Sequence, residues 1–250
     1  MKKVVQLFLC SLVILFSTES FSQVSKEQSK LTGKQLAKHK AEYAAKVKAL
    51  GMAVQPEYFY KLKIDINKVD EFKSVGVDLV ELGNKAGEFT YKEYTLLSNY
   101  VVQGVVVERT YSQDKQDFFH TTYKIKVESS LKGGISDEYI YVKTESGLIG
   151  EDSYVQSSTE PSIYLGEKVL LMLNRVDVAA AEAAREKGFF DKTLNATSND
   201  FTINGKFTLK QETFFDSHKH YIGNKDEVFS NIGQVQSINK RETFHTKKFK

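Results

Sequence analysis

Tryptophan is missing from the 250-residue chain, proline occurs twice, and Cys10 is the single cysteine. One cysteine excludes an intrachain disulfide scaffold and any cysteine metal cluster. Cys10 lies in an N-terminal apolar segment and follows Leu9, where lipid attachment would want a small residue. The chain beyond it must therefore hold itself together by its core. No apolar run reaches the roughly 20 residues of a membrane span, and the longest candidate, Val4 to Phe16, is far shorter. Charge of one sign is not in excess either. Lys and Arg number 35 against 32 Asp and Glu, which calls for no nucleic-acid partner.

Aromatic residues are plentiful, with 13 Tyr and 17 Phe, and together with the scarcity of proline they favour an ordered, β-rich protein. The N-terminus reads as a secretory signal peptide. Lys2 and Lys3 precede the apolar segment, and Ser20 and Ser22 form a small-x-small cleavage site ahead of Gln23. Export, to a periplasm or beyond the cell, is the expectation.

Thr32 to Gly51 predicts a helix, with a Thr32/Gln35 capping box and Gly51 as its stop. Leu36, Tyr43, Val47 and Leu50 share one face, and seven lysines lie between Gln23 and Leu50. A solvated helix resting on the domain is preferred to a basic docking helix. YFYKLKIDI (58–66) partly alternates and suggests a strand, whereas 69–82 has helical spacing interrupted by Gly76. Thr90 and Glu93 form a second capping box, with Phe89 and Tyr94 as a hydrophobic staple, so a short helix is expected from Tyr91 to Ser98.

Four strands follow. YVVQGVVVERT contains Gly104 as a bulge or bend. Tyr123, Ile125 and Val127 alternate with Lys124, Lys126 and Glu128 until Lys132-Gly133-Gly134. Ile140 and Val142 oppose Tyr139, Tyr141 and Lys143, and a Gly/Ser/Glu-rich loop fills 145–160. Lys168 to Asn174 is the fourth strand, with Val169, Leu171 and Leu173 directed inward and Leu170 and Met172 under a helix. Residues 176–190 read as a helix or exposed arm. In 199–211, Asn204-Gly205 joins two alternating runs and predicts a type I′ hairpin. Residues 225–238 read as a terminal helix.

A helix leading into "V-V-x-G-x-V" (Val101 to Val106), then "V-E-x-x-L-K-G" (Val127 to Gly133), a tyrosine-rich strand and Tyr164-Leu-Gly166-Glu167 make a recognisable order. It resembles secreted bacterial domains that look like the netrin-module and tissue-inhibitor-of-metalloproteinases barrel. The resemblance implies an α+β, mainly β, OB-like five-stranded barrel with helices at both ends. Together these readings divide the chain into a signal peptide (1–22), a polar segment with basic helix and mixed linker (23–88), the barrel domain (89–239) and a basic tail (240–250). The resemblance also implies a barrel that binds something on a face or in its loops. The zinc-chelating N-terminal cysteine of the inhibitors has no counterpart after Cys10, which removes that mechanism.

Tyr139, Tyr141 and Lys143 are the candidate ligand-binding residues, because exposed aromatics beside a cation stack rings on OB barrels. The bland alternative is that the tyrosines are ordinary strand formers lying under the N-terminal helix. His218 and His220 have a spacing that can chelate a transition metal, although exposed turn residues are the commoner explanation. Asp78 with Glu81 and Glu151 with Asp152 are the nearest approach to acid–base pairs, and surface charge accounts for them. No cofactor is expected. The expected function is that of an exported, non-enzymatic binding or scaffold protein for an envelope or extracellular protein or a glycan. The alternative is an exported hydrolase whose site is assembled from scattered residues.

Overall fold

A computed structural model describes residues 33–52, 56–85, 87, 89–113, 119–149, 153–155, 160–175 and 200–239. The signal-peptide reading, the Thr32 half of the first capping box, the 176–190 helix or arm and the basic tail lie outside the described residues.

The strands are β1 (Tyr100–Gln113), β2 (Phe119–Lys132), β3 (Tyr139–Thr144), β4 (Gly147–Ile149), β5 (Ser153–Val155), β6 (Lys168–Arg175), β7 (Asp200–Lys210), β8 (Thr213–Phe215) and β9 (Tyr221–Asn224). Antiparallel pairing runs in the order β3-β2-β1-β6-β7, and β7 then returns beside β3 in parallel through Tyr141↔Asp200 and Val142↔Phe201. That closure makes the five-stranded OB-like barrel expected above, with β8 and β9 extending the sheet past β7. The 145–160 loop instead contains a hairpin, β4 with β5.

The alternations decide which side chains fill the barrel. Tyr123, Ile125, Ile140, Val142, Val169, Leu171 and Leu173 share one buried cluster with Val102 and Val106. Gly104 sits at a register shift between β1 and β2, and a Cβ there would run into the Lys126 carbonyl. Leu170 and Met172, on the opposite face of β6, join Val101, Phe214, Val228 and Ile232 beneath the helices. β6 is thus buried on both sides, as its unbroken apolar run requires.

The Asn204-Gly205 hairpin is not formed. β7 is one continuous strand, and neither residue adopts the positive φ that a type I′ turn needs. A bulge lies here instead: Met172 pairs with Gly205 and Leu173 with Ile203, leaving Asn204 as the extra residue. The added residue shifts the alternation, so Phe201 and Ile203 face the barrel interior while Phe207 and Leu209 face the helices. Tertiary contacts override the local turn preference. Asn204 donates its amide to the Leu97 carbonyl (3.2 Å) and to Ser98 Oγ (2.9 Å), and a Cβ on Gly205 would come 2.8 Å from the Tyr94 ring.

The helices are α1 (Gly33–Ala49), α2 (Pro56–Lys61), α3 (Val69–Ser74), α4 (Leu79–Asn84), α5 (Tyr91–Leu97) and α6 (Lys225–Asn239). Gly51, at φ +77°, follows α1 as its stop residue. The strand expected at 58–66 is replaced by α2 and a 3₁₀ turn at Ile66–Lys68. Adjacent Phe59 and Tyr60 are both buried, which a strand with one solvated face cannot arrange, and Lys63 at φ +58° ends the helix as Ile64 N–H returns to the Phe59 carbonyl. The helical spacing over 69–82 is correct but splits into α3 and α4 at Gly76, φ +83°. In α5 both halves of the capping box form, and the Phe89 and Tyr94 rings meet at 5.4 Å.

Val47, Phe59, Phe72, Leu79, Leu96, Leu97 and Val235 build a helical core beside the barrel, with α5 and α6 shared between it and the sheet. Leu171→Ala should therefore cost about 2–5 kcal/mol in chemical denaturation. An unchanged midpoint would contradict its placement inside the barrel.

Candidate functional site

The outer side of the β2–β3 ladder carries the candidate surface. The period of β3 buries Ile140, Val142 and Thr144 and turns the intervening residues outward, leaving Tyr139 36% and Tyr141 44% exposed. These tyrosines are not covered by α1, which packs on α2 and the helical core through Val47 and a hydrogen bond from Tyr43 to the Ile64 carbonyl. Register then sets their neighbours: Tyr141 lies opposite Lys124 and Tyr139 opposite Lys126. The Lys124 ammonium stands 4.7 Å from the centre of the Tyr139 ring.

Lys143 stands apart from the two tyrosines in its pairing. Its ammonium is 2.9 Å from the Asp200 carboxylate, with both side chains largely buried, so it ties β3 to the start of β7 at the barrel closure. The lysines that flank the tyrosines are Lys124 and Lys126. Sequence alternation had them facing outward, but only the β2–β3 register shows which tyrosine each one faces. Both are offset by carboxylates, Lys124 by Glu108 at 3.7 Å and Lys126 by Glu138 at 4.0 Å. The strip is therefore aromatic and polar, without a large charge of one sign. Further along the sheet Val107 is exposed at a β1 bulge, and the turn holding exposed Tyr164 and Leu165 is bonded to Val106 through Gly166 N–H.

His218 and His220 lie in the turn between β8 and β9, not along a strand, with ring centres 5.9 Å apart. Asp216 organises that turn. One carboxylate oxygen accepts the backbone N–H groups of His218 and His220, and the other meets His220 Nδ1 at 3.1 Å. Partial burial pushes the Asp216 carboxyl up, but the His220 backbone and ring and the His218 N–H together hold it below the usual carboxylate range.

Of the acid–base candidates, Asp78 has a structural role. Asp78 caps α4, accepting from Val80 and Glu81 N–H, and these bonds with the Lys73 ammonium lower its pKa. Glu151 and Asp152 lie outside the described residues. Inside the barrel mouth, Lys206 pairs with Glu167 at 2.7 Å and donates to the Ser162 carbonyl, while Thr208 donates to the same carboxylate. That pair is internally satisfied.

A cavity of about 190 Å³ is lined by Thr95, Leu96, Lys132, Val235, Gln236 and Asn239, where α5, α6 and the end of β2 meet. Lys132 donates there to the Thr95 and Ser98 carbonyls (2.6 and 2.5 Å), capping the C-terminal end of α5. Burial pulls its pKa down to about 8. Neither a protein-family model nor a curated protein matches the chain.

The Lys132 shift has a defined consequence. Unfolded, the lysine titrates near its ordinary value of about 10.5, so between pH 8 and that value the unfolded chain binds more protons and stability rises with pH. Compared with Lys132→Met, the wild type should gain stability steadily across this window in urea titrations. A difference that stays constant with pH would contradict desolvation of the ammonium.

Proposed function

We propose that the chain is an exported, non-enzymatic binding protein whose ligand surface is the outer β2–β3 face. The observation that carries the reading is the pair Tyr139 and Tyr141, adjacent, outward-facing and bordered by Lys124 and Lys126. Rigid rings with both cationic and anionic groups at their margin suit stacking and hydrogen bonding to a glycan or to a protein partner. Burial of such rings is what an interface adds to a sheet that is already complete. Kinship with netrin-module barrels belongs to the same proposal. It is supported by the OB-like strand order, by the capped helix running into Val101–Val106 and by the Gly104 bulge.

The hydrolase alternative finds less support. Asp78 is engaged as a helix cap, and the Lys206–Glu167 pair is consumed by its own neighbours.

The test is retention of the mature chain on defined glycan arrays and on an immobilised envelope extract, comparing wild type with Tyr139→Ala/Tyr141→Ala. Loss of both rings should weaken retention at least tenfold, with the thermal midpoint nearly unchanged. Equal retention of the double variant on every surface that holds the wild type would overturn the assignment of the face.

A further inference from the structure

The β8–β9 turn carries an arrangement that the binding face does not use. We propose that His218 and His220 form a site for a divalent transition-metal ion, with copper(II) the preferred occupant and Asp216 as the positioning carboxylate. Three features support it.

First, with metal–nitrogen bonds of about 2.0–2.1 Å, two imidazoles on one ion hold their ring centres about 4.5 Å apart at the right angle of a tetragonal ion and about 5.2 Å apart at a tetrahedral angle, so the turn needs to close only a small gap. The rings of His218 and His220 stand 5.9 Å apart, inclined by 35°. Both residues are exposed, so rotation of the His218 side chain can close that gap while His220 keeps its bond to Asp216.

Second, the imidazole of His220 is already oriented. Its Nδ1 faces the Asp216 carboxylate at 3.1 Å, which fixes the tautomer with Nδ1 protonated and makes Nε2 the ligating nitrogen.

Third, the backbone is held in advance. Asp216 N–H donates to the His220 carbonyl (3.0 Å), Lys219 N–H donates to the Asp216 carbonyl (3.1 Å), and Lys219 takes the left-handed φ of +67° that tightens the turn. Little ordering remains for the ion to impose.

Among the described residues no group of three His, Cys, Asp or Glu side chains is arranged around an ion. The site is thus a two-imidazole chelate completed by water. Imidazole donors and the Irving–Williams order rank copper(II) above nickel(II) and zinc(II).

The full mature chain would be titrated with copper(II), nickel(II) and zinc(II) by calorimetry, with electron paramagnetic resonance on the copper form. The expected result is one copper per chain with hyperfine coupling from two nitrogens, and weaker nickel and zinc binding. His218→Ala and His220→Ala should each weaken copper binding at least tenfold, whereas His39→Ala should leave it unchanged. Asp216→Asn keeps an oxygen for the two backbone N–H groups but removes the charge behind His220, and should weaken binding about 10- to 100-fold. Absence of copper binding at about 0.1 mM, or binding that survives loss of both turn histidines, would overturn the proposal.

Discussion

From Val169 to Leu173 every side chain of β6 is fully buried, and the rest of the molecule is arranged around that fact. Val169, Leu171 and Leu173 complete the barrel interior, while Leu170 and Met172 form the floor on which α5 and α6 rest. Each such side chain contributes roughly 1.5–3 kcal/mol when taken from water. Neither layer can withdraw without exposing one face of the strand. The helices beyond it are tied in at second hand: Leu96 and Leu97 of α5 and Val235 of α6 turn away from the sheet into the core that holds α1 to α4.

Two irregularities let a regular barrel meet a helical layer. Gly104 admits the Lys126 carbonyl where β1 and β2 shift register. Asn204 and Gly205 let β7 change the face its apolar residues present, and they do so at the end of α5. Asn204 there supplies a donor to the Leu97 carbonyl of α5, and Lys132 supplies a second from the end of β2. Such short helices are weak alone, and this one is fixed at its start by Glu93 and at its end by residues from two strands.

The strands were legible where period two was clean. Tyr123/Ile125/Val127 and Ile140/Val142 declare an inner face, and the apolar run within Lys168 to Asn174 declares a strand covered on both sides. The first helix was legible from its stop residue Gly51, and α5 from its capping box. Asn204-Gly205 misled because its turn chemistry is local, whereas the Tyr94 ring and the Leu97 carbonyl come from a distant helix. The 58–66 segment misled because weak alternation concealed neighbours, Phe59 and Tyr60, that are buried together. For the candidate face, parity alone placed Tyr139 and Tyr141 outward. It could not reveal that Lys143 is committed to Asp200, because that pair exists only once the barrel closes.

The double burial of β6 makes the barrel and helices a single cooperative unit, and native-state hydrogen exchange with rising denaturant tests this most directly. The amides of Leu170–Leu173 in β6, Thr95–Leu97 in α5 and Val228–Val235 in α6 should merge onto one global opening, with equal free energy and equal denaturant dependence. Exchange of α5 and α6 through a separate, lower-energy opening while β6 stays protected would contradict it.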